Sequence, residues 1–156
     1  MKEYLIQTFK YNDQANRAVL SAIQNLPAKE EAIKLFSHLI TAQDKWFNRI
    51  EKKVDDSTLT WFGPVFSEQE LAGRWEQSVA NWITLLERET ESGLENYVTF
   101  KRPSDGKMMG VSLKDLSLQL NYHSIHHRAQ INCLISQQGH KVPLTDYIFT
   151  ALKEID

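Results

Sequence analysis

Apolar side chains recur at a 3.6-residue period in four separate stretches of this chain, each about 20–26 residues long. A chain patterned in this way buries its stripes by packing helix on helix. The first stretch, from about Lys2 to Leu26, carries Leu5, Phe9, Ala15, Val19, Ile23 and Leu26 on one face. Pro27 closes it, because the residue before a proline is pushed out of helical geometry. The second, Ala28 to Lys53, carries Ile33, Phe36, Ile40, Phe47 and Ile50, with Leu39 beside them.

Ser67 followed by Glu70 has the spacing of a capping box, and Leu71, Trp75, Ser78, Trp82, Leu85 and Leu86 continue into a third helix. Gly93 is expected to end it as a left-handed cap. Ser112 with Asp115 marks the start of a fourth helix, which carries Leu113, Leu116, Leu120, Ile131, Leu134 and Ile135, runs to Gln138 and stops at Gly139.

The links have their own signals. Val54 to Phe66 mixes turn residues with Leu59, Trp61, Phe62, Val65 and Phe66, which predicts a loop folded back over the body, since so many wet apolar groups are costly. Tyr97–Phe100 and Met108–Val111 flank Asp105-Gly106 and predict a short hairpin or ordered excursion. Beyond Pro143, Asp146 to Ile155 is long enough for a short helix or an ordered return. The expected architecture is an all-α four-helix bundle in one domain spanning residues 1–156.

Charge narrows the function classes. The chain has 18 Lys+Arg against 20 Asp+Glu, a formal charge of −2 and no long basic run, so neither nucleic acid nor an anionic membrane is an expected partner. No stretch reaches 18 uninterrupted apolar residues, and the opening residues contain no continuous apolar signal segment, so a cytoplasmic location is expected. The single cysteine, Cys133, excludes an internal disulfide and reads as a small buried hydrophobe.

The polar residues then sit wrongly for a plain bundle. The core row of the fourth helix runs through positions 113, 116, 120, 123, 127, 131 and 134, and positions 123 and 127 are histidines. Residues four apart lie roughly 6 Å from each other on one face, so His123 and His127 can converge on one small cation. A third ligand must come from another element, and His38, near the middle of the second helix, is the candidate. Three neutral imidazoles would leave an open position, where a metal polarises a substrate or lowers the pKa of a bound water or thiol. The competing reading makes these histidines core-edge groups hydrogen-bonded to carbonyls.

Other side chains are less decided. Arg128 reads as a surface ion pair, with contact to an acidic substrate group as the alternative. Asn12, Asn16 and Gln43 read as solvent-facing, with orientation of the imidazoles as the alternative, and Gln119 and Gln130 flank the histidine row. Trp46, Trp75 and Trp82 are expected in the core with their N–H groups partnered, and Trp61 is free to line a pocket mouth. No Ser-His-Asp set, phosphate-binding glycine loop or His-Glu-x-x-His helix is present.

The stretch Leu35–Ile50 around His38, the segment Gln119–Ile131 containing His123-Ser124-Ile125-His126-His127-Arg128, the early Tyr11–Asn16 segment and the tail Pro143–Ile148 together resemble the DinB family. The resemblance implies an up-up-down-down four-helix bundle with a long crossover between helices two and three, usually a homodimer. It implies one divalent metal ion per chain, nickel, zinc or iron, held by His38, His123 and His127, with His126 not a ligand. It further implies a small-molecule substrate and a metal-dependent thiol S-transferase using a low-molecular-weight thiol. A hydrolase using metal-bound water and a non-catalytic metal or small-ligand binder remain the alternatives.

Overall fold

The computed structural model describes residues 1–53 and 60–155. The chain is mostly helical: α1 spans Lys2–Gln24, α2 Glu30–Glu51, α3 Glu68–Arg88 and α4 Leu113–Gln137, and a short α5 spans Ile148–Ala151. Strands β1, Tyr97–Lys101, and β2, Met108–Ser112, form one antiparallel pair between α3 and α4. Among the described residues no helix is long and apolar enough to cross a membrane. The expected loop residues Val54–Leu59 lie outside the described residues.

Local chemistry accounts for most boundaries. Ser67 and Glu70 form the reciprocal capping box at the start of α3, and the Ser112 hydroxyl accepts the Asp115 N–H at the start of α4. α3 stops at Arg88, about a turn before the expected end at Gly93. Gly93 has no positive φ and opens a single 3₁₀ turn, Gly93–Glu95, with its N–H donated to the Thr90 hydroxyl. An added Cβ there would meet the tip of the Glu89 side chain, which is free to swing aside.

At the end of α4, Gly139 has φ +77°, and the His140 N–H reaches back to the Ile135 carbonyl in a Schellman arrangement. A Cβ on Gly139 would meet nothing within 4 Å. Gly139→Ala is therefore expected to cost only the left-handed strain, about 1–2 kcal/mol, read as a lower urea midpoint with unchanged slope.

Contacts between the helices fix their directions. The start of α1 meets the residues after α3, through Met1 and Lys2 on Glu91, while Asp13 accepts from Trp75 early in α3, so α1 and α3 are antiparallel. Lys29 pairs with Glu68 at one end and Glu51 with Arg88 at the other, so α2 and α3 run parallel. Thr8 meets Asn121 and Ala28, just beyond α1, meets Gln138, so α1 and α4 are parallel too. The order is thus up, down, down, up, which corrects the expected up-up-down-down order. The reason is length: the short link from Gln24 to Glu30 can only send α2 back antiparallel to α1, on the far side of the bundle from it with α3 and α4 between them.

A parallel α2 and α3 require the chain to travel back along the helices between them. The described part of that crossover places Trp61 against His38 and the Phe66 N–H on the Ser37 hydroxyl. It covers its aromatics only in part, for Phe62 is 56% exposed.

Two apolar clusters fill the interior. One joins Val19, Ile23, Phe36, Ile40, Trp75 and Ile131, and the other joins Leu5, Phe9, Trp82, Leu86, Leu116 and Leu120. Trp75 and Trp82 are fully buried, as expected, and their indole N–H groups are donated to Asp13 and to the Gln43 carbonyl. Trp46 packs at the edge of the second cluster. Between the clusters lies a layer of buried polar residues that includes Asn12, Asn16, His38, Ser124, His127 and Arg128.

Candidate metal centre

The polar layer holds the histidines because two helices cross there. α2 brings in His38, and successive turns of α4 bring in His123 and His127. The Nε2 atoms of His38 and His123 lie 3.1 Å apart, and those of His127 and His123 lie 3.0 Å apart. All three rings meet edge to face, with centroids 4.5 to 4.9 Å apart.

Proton accounting shows what this arrangement can accept. His38 Nδ1 lies 2.5 Å from the Trp61 carbonyl oxygen, which can only accept, so that nitrogen carries the proton. His127 Nδ1 is 2.6 Å from Gln130 Oε1 and donates likewise. Both Nε2 atoms therefore turn lone pairs toward His123 Nε2, whose single proton can satisfy only one of them. Burial lowers the pKa of His38 and His127, against the opposing pull of the Trp61 carbonyl and the Gln130 side chain. Burial, reinforced by the neighbouring imidazoles, brings His123 down to about 4.

Neutral imidazoles with converging lone pairs are the donor set a cation needs. Three nitrogens about 2.0–2.1 Å from a tetrahedral ion stand roughly 3.3–3.4 Å from one another, close to the separations seen here. The residues present fit a metal ion.

The same shifts set a pH dependence for the metal-free protein. Each imidazole is protonated more readily unfolded than folded, so stability is full above the ordinary histidine pKa near 6.5 and falls as pH drops through the window down to about 4. Denaturant unfolding is expected to give a lower stability at pH 5 than at pH 7. His123→Gln, which cannot titrate, should flatten that difference; an unchanged slope in the variant would contradict the assignment.

A model of the DinB family matches residues 1–155. The chain belongs to the DinB family. No curated protein and no solved structure matches it.

The rest of this DinB centre departs from the sequence reading in instructive ways. Arg128 is 2% exposed and, among the described residues, makes no ion pair. Its Nη1 donates to Asn12 Oδ1 at 2.8 Å and Asn16 Oδ1 at 3.0 Å, and its Nη2 donates to the Tyr11 hydroxyl at 2.8 Å. Asn12 and Asn16, expected at the surface, are buried because they hold this guanidinium, and Asn16 also donates to Ser124. Among the described residues their hydrogen bonds run to Arg128, Ser124 and each other rather than to the imidazoles.

Gln43 is buried as well, but on the α3 side of α2, where its backbone carbonyl accepts from Trp82. Among the described residues, Gln130 is the polar candidate that hydrogen-bonds a histidine. Gln119 and His126 are exposed. Cys133 is exposed rather than buried, because Ile131 and Ile135 take the inward positions on that part of α4.

Two contributors were not legible in sequence. The Trp61 carbonyl orients His38, and the Phe62 ring stacks on His38 with centroids 4.2 Å apart at 12°. A backbone carbonyl carries no side-chain signal. Lys45 lies over the Trp61 ring, 4.2 Å from the centroid.

Proposed function

We infer that this DinB-family protein holds one divalent metal ion per chain through the Nε2 atoms of His38, His123 and His127 and works on a small-molecule substrate as a thiol S-transferase. The observation that carries the reading is the convergence of three imidazole nitrogens within 4.8 Å, with Trp61 and Gln130 fixing two of the rings so that their lone pairs face inward. When bound, such an ion supplies Lewis acidity and lowers the pKa of a thiol or water placed against it. Nickel, zinc and iron all accept a nitrogen donor set.

The chain's own residues favour a thiol over water as the nucleophile. Among the described residues no Asp or Glu joins the cluster, so no carboxylate stands ready to take a proton. A thiol, with an ordinary pKa near 8.5, needs less help to ionise than water does. Phe62 shields one face of His38, which keeps water from that ring and leaves His123, half-buried, on the accessible side.

The test is turnover. Metal-loaded protein is incubated with a small thiol and a chloronitrobenzene electrophile, and separately with a nitrophenyl ester. Thioether formation well above the His123→Ala background supports the transferase. Ester cleavage alone would replace it with a hydrolase, and stoichiometric metal with neither activity would make the protein a non-catalytic binder.

The reading carries further proposals. The chain is one up-down-down-up bundle domain over residues 1–156, it acts in the cytoplasm, and it forms a homodimer. The exposed apolar side chains Tyr122, Ile125, Ile148, Phe149 and Leu152 support the last. Sedimentation showing only monomer at micromolar concentration would remove it.

A further inference from the structure

A cavity of about 690 Å³ lies between the C-terminal end of α2 and β1. That volume is in the range of small-ligand sites, about 300–1,000 Å³. Ile50, Val98 and Phe100 give it an apolar wall, and Arg49, Lys53 and Lys101 supply three cations. Among the described residues the carboxylate on its lining is that of Glu89, which stands 4.0 Å from the Arg88 guanidinium. Lys53 and Lys101 make no ion pair among the described residues.

Arg49 is held in place by aromatic rings. Its guanidinium carbon lies 4.4 Å from the Trp46 centroid, 5.2 Å from Phe100 and 5.3 Å from Trp61. The strand adds donors. Asn96 and Arg102 bond across to Leu113 and Lys107, so the alternate residues Tyr97, Thr99 and Lys101 turn their peptide groups to the outer edge of β1. Among the described residues that edge has no partner strand.

We propose that this cavity is a binding site for a small organic anion, with the oxyanion against Lys53 and Lys101 and an apolar or aromatic body against Ile50, Val98 and Phe100. Arg49 follows His38 by eleven residues on α2, a rise of about 16 Å, so the site is separate from the imidazoles and stands whether or not they bind metal.

The oxyanion chemistry is shared by carboxylates and phosphate monoesters, and calorimetric titration of the full chain separates them. Phenylacetate and phenyl phosphate are the anionic probes, with benzyl alcohol as the neutral analogue and inorganic phosphate as the bodiless one. At least one organic anion should bind saturably and shift the amide resonances of Val98, Thr99 and Phe100. Lys53→Glu combined with Lys101→Glu should weaken it at least tenfold, and Lys53→Gln alone should weaken it less. His123→Ala should leave it unchanged, whatever that variant does to metal content. Binding by neither organic anion, equal binding of benzyl alcohol or of inorganic phosphate, or full binding by the folded double variant would each overturn the proposal.

Discussion

Protein purified without a histidine tag is expected to carry about one divalent metal per chain, and His123→Ala to lose most of it. His123 is the middle of the cluster: its Nε2 is 3.1 Å from His38 and 3.0 Å from His127, so its removal leaves only two nitrogen donors where a site of this kind needs three. Changing a residue that merely orients a ligand typically costs 10–100-fold in affinity, and loss of the ligand itself should exceed roughly 100-fold. Gln130→Ala, which frees the His127 ring but deletes no donor, should fall within that smaller range. Elemental analysis after dialysis, with a competition titration for the affinities, reads both. Equal metal in the parent and His123→Ala would reject the site while leaving the helical fold intact.

Arg128→Ala is expected to be the most destabilising single change outside the apolar clusters, by about 3 kcal/mol. The guanidinium is buried with neutral partners, and its removal takes a charged donor from each of the Asn12 and Asn16 carbonyl oxygens and the Tyr11 hydroxyl, each loss worth roughly 1 kcal/mol or more in a dry interior. Desolvation lowers the Arg128 pKa, yet the group stays charged at neutral pH because arginine starts so high. For a chain of this length the loss corresponds to a fall of roughly 6–12 °C in Tm.

Tyr11 also donates to the Thr145 carbonyl at 2.7 Å and packs edge-on against Tyr147. The C-terminal segment should therefore loosen with the same mutation, seen as faster proteolysis beyond Pro143. A double-mutant cycle with Asn16→Ala should show coupling, since each change removes the other's partner. Independent, additive effects would mean that the network does not act as one unit.

The histidine triad shows how far sequence reasoning reaches. His123 and His127 were legible because α4 is regular: a helical repeat of 3.6 puts residues four apart on one face, whatever the rest of the molecule does. The capping box at Ser67, the serine N-cap at Ser112 and the αL stop at Gly139 were legible for the same local reason.

The errors share the opposite cause. Arg128, Asn12 and Asn16 carry side chains that favour water in isolation, and only the approach of α1 to α4 supplies acceptors that let all three be buried together. Cys133 prefers the interior by type but lost that place to its isoleucine neighbours.

Periodicity, caps and breakers are short-range, so the amino-acid order alone determined four long helices, their approximate ends, a hairpin before the last and a pair of histidines one turn apart. The directions of the helices, the meeting of His38 with that pair, the Trp61 carbonyl behind His38 and the buried guanidinium network depend on groups far apart in the chain. Those were decided only when packing brought them within hydrogen-bond reach, because desolvation sets the charge and exposure of a polar group by its neighbours in space.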